Sequence, residues 1–312
     1  MNDRNGAQVL TLSISAVERD TGLSKDTLRV WERRYGFPTP QRDAIGERAY
    51  PFEQVEKLRV VKRLLDAGHR PGRVVAMSFG DLQRLSENTV GPLTLEAVGP
   101  TAPDLRSYLA LLRSHDIEAL RRQLGQARVA LGLARFVTDV VAPLNTLVGE
   151  AWMRGQMEIF EEHLYTESVH VVLREAIHSV PVSAPLARPR VLLSTFPGEP
   201  HGLGLLMAEA LFAISGARCL SMGVQTPVWD IVLAAAAQRC DAVALSFTGC
   251  MNPNQVIDGL VELRAKLPPT VDIWVGGSAP VLHRRPVPGV TAIAMLAGID
   301  AEVQRWRSLA RL

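Results

Sequence analysis

The residues best placed to do chemistry lie in the stretch PGEPHGLG, residues 197–204, where Glu199 stands two positions before His201. A lone histidine is ordinarily a surface or core residue. In a turn, however, a carboxylate at that distance can accept the proton of one ring nitrogen and leave the other as a metal ligand with fixed tautomer and orientation. Gly202 and Gly204 then leave room beside the ring for a bulky group. Forty-one residues separate Gly204 from Ser246, and 27 separate Thr248, at the end of the SFT triplet, from the pair Gly276-Gly277. Cys219, Cys240 and Cys250 are odd in number and lack paired metal-ligand spacing, so they predict neither a disulfide framework nor a zinc site.

Two further sets stand out. Trp152 is followed after nine residues by Glu162-His163. On one uninterrupted helix, eleven steps of about 100° bring His163 to within roughly 20° of Trp152, about 16 Å along the axis; Gly155 falls between them. Nearer the N-terminus, SKDTLRVWERRYG carries Lys25, Thr27, Arg29, Arg33 and Arg34 around an apolar stripe, the composition of a helix that enters the major groove. Arg42, Arg48 and Tyr50 follow and could hold backbone phosphates beside it. Trp31 and Tyr35 read equally well as core residues.

The elements that must position these groups fall into three segments. Residues 10–80 read as helix, turn, helix, with Gly22 at the turn and Ser24 as N-cap of the second helix. An irregular basic loop with Pro38, Pro40, Gly46 and Pro51 follows, then a helix over about 52–67 ending at Gly68. Residues 81–102 are rich in Gly and Pro and read as a linker with some helical content. Residues 103–185 predict a small helical bundle with breaks near Gly125, Gly132, Pro143 and Gly149. From 188 to 312 the apolar runs RVLLSTF, ARCLSMG, AVALSFTG and DIWVGGS alternate with helix-length segments, the signature of a parallel sheet covered on both faces. Such sheets bind ligands at the carboxyl ends of their strands, and His201 follows the first of them.

Composition narrows the classes. At 312 residues and 47% apolar, the chain can bury several cores, and it contains no run of about 18 apolar residues that would cross a membrane. Its start lacks the apolar core of a signal peptide, so the expectation is a cytoplasmic protein. Residues 1–80 hold 14 Lys and Arg against 10 Asp and Glu, a net of +4, whereas the remainder nets −2. The positive end is the helix-turn-helix end, which favours a nucleic-acid contact there.

LSKDTLRVWERRYG, then P.R....ER.Y, then a helix ending LLDAGH resembles the winged helix-turn-helix of the MerR family of transcription regulators, from Leu12 to about Gly72. That resemblance implies a dimer on double-stranded promoter DNA, with Lys25, Thr27, Arg29, Trp31, Arg33 and Arg34 on or beside the recognition helix and Arg42, Arg48 and Tyr50 in the wing. The acid-x-His-x-x-Gly pattern with its distant Ser and Gly-Gly resembles the cobalamin-binding domain of methionine synthase and its relatives. It implies His201 as the lower cobalt ligand, with Glu199 orienting it. It also implies Ser246 as a donor to the buried dimethylbenzimidazole tail, and Gly276 and Gly277 as clearance for that tail. Glu199 replaces the commoner Asp, and Thr248 stands where the serine motif often ends in Leu.

Together with the Trp-x9-Glu-His spacing, the whole chain is similar to the CarH/LitR light-sensing repressors. This implies a multidomain fold: an all-α winged helix-turn-helix, a four-helix-type bundle, and an α/β Rossmann-like doubly wound parallel sheet. It further implies adenosylcobalamin as chromophore, with Trp152, Glu162 and His163 around the adenosyl group. The partners it implies are promoter DNA, a light-sensitive homo-oligomer (dimer or tetramer) and RNA polymerase at the promoter; catalysis is not implied. Met153 stands where some relatives carry a histidine that captures cobalt after photolysis, so a bis-histidine photoproduct is not implied here. Two rival readings use fewer of these features. One is a cobalamin-dependent methyl carrier, which leaves the N-terminal segment without a role; the other is a MerR-type regulator that senses another tetrapyrrole or no ligand.

Overall fold

The computed structural model describes residues 10–43, 45–66, 68–90, 104–181 and 188–309. The chain divides into two compact units near residue 93, with Met153–Gln156 grouping with the first.

The first unit runs β1 (Thr11–Ser13), α1 (Ile14–Thr21), α2 (Lys25–Tyr35), β2 (Gln41–Arg42), β3 (Arg48–Pro51), α3 (Phe52–Asp66), α4 (Pro71–Val74) and α5 (Phe79–Val90). Gly22 ends α1 in the left-handed conformation, φ 69°, and the Ser24 hydroxyl then accepts the Thr27 N–H at 3.1 Å to start α2. Such a cap contributes about 1 kcal/mol. The predicted irregular loop contains instead a hairpin, β2–β3, whose turn is closed by the Asp43 carboxylate accepting the Ile45 and Glu47 N–H groups. With β1 it forms an antiparallel sheet ordered β1-β3-β2. Strands this short leave no alternating pattern for the sequence to display. Val17, Leu28, Trp31, Tyr50, Leu58 and Leu64 form the core, and Leu82 of α5 is fully buried among them. The stretch expected to be linker from residue 81 therefore begins as a core helix, with Leu82 and Leu85 at helical spacing; residues 91–102 lie outside the described ones.

The second unit opens with α6 (Leu105–Arg113), α7 (Ile117–Leu131), α8 (Leu133–Arg135), a π-helical turn (Phe136–Val141), α9 (Ala142–Met153) and α10 (Ile159–His178). Gly132, φ 75°, ends α7 as expected, but Gly125 and Gly149 lie inside α7 and α9, where a glycine costs about 1 kcal/mol without breaking the helix. Gly155, φ 68°, does break the chain, and a capping box between Glu158 and Glu161 starts α10. Trp152 and His163 therefore sit on different helices, and the shared helical face expected of them does not exist.

The remainder alternates β4 (Arg190–Ser194), α11 (Leu203–Ile214), β5 (Arg218–Ser221), α12 (Val228–Ala237), β6 (Ala242–Ser246), α13 (Pro253–Lys266), β7 (Asp272–Gly276), α14 (Val281–Arg284), β8 (Thr291–Ala292) and α15 (Gly298–Leu309). All strand pairs are parallel, in the order β5-β4-β6-β7-β8. Val191, Leu193, Ala242, Ala244 and Trp274 face one core, shared with the bundle, α11 and α15; Leu192, Val243, Leu245, Ile273 and Val275 face the other, with α12 and α13. Helix α10 packs on α11, and Arg174 pairs with the buried Glu209 at 2.8 Å across that contact. The strand order reverses between β4 and β6, the point at which a doubly wound sheet opens a crevice.

Candidate functional site

The loops leaving β4 and β6 meet at that crevice. After β4, Pro197-Gly198 turns the chain, with Gly198 at φ 90° and the Glu199 N–H donating to the Phe196 carbonyl at 3.0 Å. The Thr195 hydroxyl donates to the Glu199 carbonyl at 2.6 Å and fixes the turn from beneath. This carries the Glu199 carboxylate inward, where it is fully buried.

A buried carboxylate must be paired and hydrogen-bonded to remain charged. Glu199 accepts the His201 Nδ1–H at 2.6 Å, the Thr248 N–H at 2.7 Å and the Thr248 hydroxyl at 3.0 Å. Burial pushes its pKa up, but the His201 and Thr248 hydrogen bonds outweigh burial and hold it below the usual carboxylate range. Hydrogen bonding with Cys250 and with Glu199 pushes the His201 imidazole up to about 10, against its burial. A metal at this ring must therefore displace a proton. The ring's hydrogen bonds with Glu199 and Thr248 both run through Nδ1, and the side chain is 52% exposed. Nε2 is thus the atom available to a ligand.

The other predicted residues divide. Ser246, Gly204, Gly276 and Gly277 line a cavity of about 330 Å³ beside the histidine loop, walled by Phe212 and Trp274. Gly202, Gly204 and Gly277, however, lie close against the protein itself. A Cβ at Gly204 would lie 2.9 Å from Ser246 Oγ, one at Gly202 3.3 Å from Val224 Cγ1, and one at Gly277 2.1 Å from the Phe247 carbonyl oxygen, with φ 107° there. A Cβ at Gly276 would meet only ordinary contact, 3.5 Å from the Ile293 carbonyl oxygen. Thr248, which looked like a departure from pattern, is an anchor of Glu199. Sequence reasoning missed Cys250, whose Sγ lies 3.3 Å from Glu199 Oε1, so that Glu199, His201 and Cys250 gather potential ligand atoms within 4.8 Å of one another. Only folding brings residue 250 beside 199, so spacing could not show it. It also passed over Trp274, although its place two residues before Gly276 puts both on one face of β7.

In the bundle, Trp152 is partly buried against the core, Glu162 accepts from the Thr166 hydroxyl at 2.7 Å, and His163 is exposed.

On the first unit, Arg29, Arg33, Arg34 and Arg42 are exposed. Lys25 lies 3.7 Å from Glu18, Arg29 is held by Asp26 at 3.1 Å, and the Thr27 hydroxyl is 2.8 Å from the Ser24 hydroxyl. For Tyr50 the expectation of DNA contact is corrected, and for Trp31 the core reading is the one the fold takes. Trp31 is 5% exposed and Tyr50 fully buried, because the apolar stripe of α2 and the inner face of β3 need them as core. Arg48 is half-buried and bound to Glu32 at 2.9 Å, which ties β3 to α2.

Residues 12–77 match the MerR HTH family of regulatory proteins, and residues 105–176 match a B12 binding domain. The chain is 32% identical over 276 residues to the HTH-type transcriptional repressor CarH of Myxococcus xanthus, spanning 88% of this chain and 91% of that one. It is 30% identical to the repressor CarA of the same organism, spanning 86% and 87%. The monomethylamine corrinoid protein of Methanosarcina barkeri shares the fold of 65% of this chain and 96% of its own, with TM-score 0.51 and 13% identity. Among the described residues, no helix is long and apolar enough to cross a membrane.

Proposed function

Because the chain belongs to the family of MerR-type regulators with a B12-binding domain that includes CarH, we propose that it is a promoter-binding repressor with adenosylcobalamin as its light-sensing chromophore. One observation supports this most: an imidazole held through Nδ1 by a fully buried carboxylate, with Nε2 available, at the sheet's switch point beside a mostly apolar cavity. These residues fit a corrinoid. His201 would be the cobalt ligand, Glu199 and Thr248 would hold the ring, and the cavity beside Ser246 would take the tail. Bound adenosylcobalamin would supply a cobalt–carbon bond that visible light breaks.

The chain's own residues then set the response. Trp152, at the end of α9, and Glu162 and His163, at the start of α10, would close over the upper ligand and hold the bundle in one arrangement. In that arrangement the subunits assemble, as dimer or tetramer, and several DNA-binding units hold one promoter by avidity. Without such a group to close over, Trp152, Glu162 and His163 would no longer fix the bundle, so the assembly equilibrium would shift and DNA affinity would fall. Arg33 and Arg34 of α2 and Arg42 of the wing would supply the phosphate and groove contacts, and RNA polymerase would be excluded from an occupied promoter.

The test adds adenosylcobalamin to the full chain in the dark and records absorption, size-exclusion profile and promoter binding before and after green light. The expected result is cofactor uptake, a larger dark species, and loss of both size and DNA binding on illumination. Identical traces in all conditions would overturn the photoreceptor reading.

A further inference from the structure

The loops after β4 and β6 bring three kinds of metal-binding atom together: a carboxylate oxygen of Glu199, an imidazole nitrogen of His201 and the thiol sulfur of Cys250, all within 4.8 Å of one another. Glu199 Oε1 is shared between the other two. It lies 2.6 Å from His201 Nδ1 and 3.3 Å from Cys250 Sγ, while the Thr248 N–H holds the other oxygen, Oε2, at 2.7 Å. The carboxylate is thus fixed from one side and turns an oxygen toward both remaining donors. Gly249, at φ 120° in the region that favours glycine, bends the chain just before Cys250, whose sulfur also reaches the Gly198 carbonyl of the first loop at 3.5 Å.

Protons on Nδ1 and on sulfur hold these contacts, and one cation can take the place of both. Ligand atoms around a four-coordinate zinc ion, with bonds of about 2.0–2.3 Å, stand roughly 3.3–3.5 Å apart. The Cys250–Glu199 spacing already matches, and the Nδ1–Oε1 pair has to open by less than about 1 Å once its proton is gone. Charge fits as well: carboxylate and thiolate bring two negative charges to a divalent ion, so no net charge is left beside the fully buried acid. A mixed set of oxygen, nitrogen and sulfur suits Zn²⁺, whereas Mg²⁺ and Ca²⁺ take oxygen ligands. We propose that Glu199 Oε1, His201 Nδ1 and Cys250 Sγ form a Zn²⁺ site in the corrinoid-free chain, with the fourth position open to water. Three bonds to zinc form, the Nδ1–H and S–H bonds break and both protons pass to solvent, with no change of oxidation state. His201 then binds as a neutral ring with its proton on Nε2. The site stands on these three residues and does not rest on the corrinoid reading.

The test titrates the tag-free full-length chain, without corrinoid, with Co²⁺ as a coloured stand-in for Zn²⁺. One Co²⁺ per chain should bind, giving the visible bands of a tetrahedral ion and a sulfur-to-cobalt charge-transfer band in the near ultraviolet, and Zn²⁺ should displace it. Cys250→Ser should remove the charge-transfer band and weaken binding by more than roughly tenfold, and His201→Ala should weaken it as much. A measurement on the wild type keeps the question open to refutation if a variant does not fold: Zn²⁺ should slow alkylation of Cys250 by roughly tenfold or more, because the metal-bound sulfur is no longer a free nucleophile. An octahedral Co²⁺ spectrum without the sulfur band, a band that survives Cys250→Ser, or equal alkylation of Cys250 with and without Zn²⁺ would overturn the proposal.

Discussion

The carboxylate–imidazole cluster above the sheet and the basic face of α2 are built on opposite plans. In the first, one buried acid gathers donors from two loops, and all of them converge on the orientation of a single ring. In the second, several exposed cations stand side by side, some already engaged by neighbouring acids. A concentrated site should fail when one atom is removed, whereas a distributed one should weaken by degrees.

Substitution can break this contrast or sharpen it. His201→Ala should have the largest effect: corrinoid affinity should fall by more than roughly 100-fold, beyond the range of outer-sphere partners, and the absorption signature of an imidazole ligand should vanish. A smaller loss with the signature retained would mean that another group ligates cobalt. Glu199→Gln keeps the shape and removes the charge, and titration should show binding weakened by about 10- to 100-fold. For Thr248→Val, which removes one hydroxyl donor but leaves the backbone donor in place, the expected loss is about threefold to tenfold. Arg33→Ala and Arg34→Ala should each weaken promoter binding only severalfold, and each should lower the slope of log affinity against log salt by about 1. A hundredfold loss from either would show that the DNA surface is as concentrated as the cofactor site. Tyr50→Phe should be nearly silent. Its hydroxyl is buried and has no partner among the described residues, so a melt should move by no more than about 0.5 kcal/mol, with DNA affinity unaltered.

How much could be read in the sequence follows the same division. The helices of the first unit, the alternation of strand and helix after residue 188, and the pairing of Glu199 with His201 are local features, written in caps, apolar periods and a spacing of two. What stayed hidden depends on chain segments that meet only after folding. Thr248 and Cys250 reach Glu199 across about 50 residues. Tyr50 and Trp31 carry polar edges that suit a DNA surface, yet both turn inward because a small unit needs their area. In the bundle, a single glycine in the left-handed region turned one imagined helix into two and removed the face that Trp152 and His163 were expected to share.

The close approach at Gly277 reaches further than its own loop. The Phe247 carbonyl that any side chain there would strike belongs to the residue immediately before Thr248, and Phe247 is itself tied to β7 through the Gly276 carbonyl at 2.9 Å. An alanine at 277 would thus displace the backbone N–H that grips Glu199, and so tilt an imidazole it never touches. The exit of β7 acts as a remote trimming screen for the imidazole, and tolerance to change at this position is set by the aim of His201.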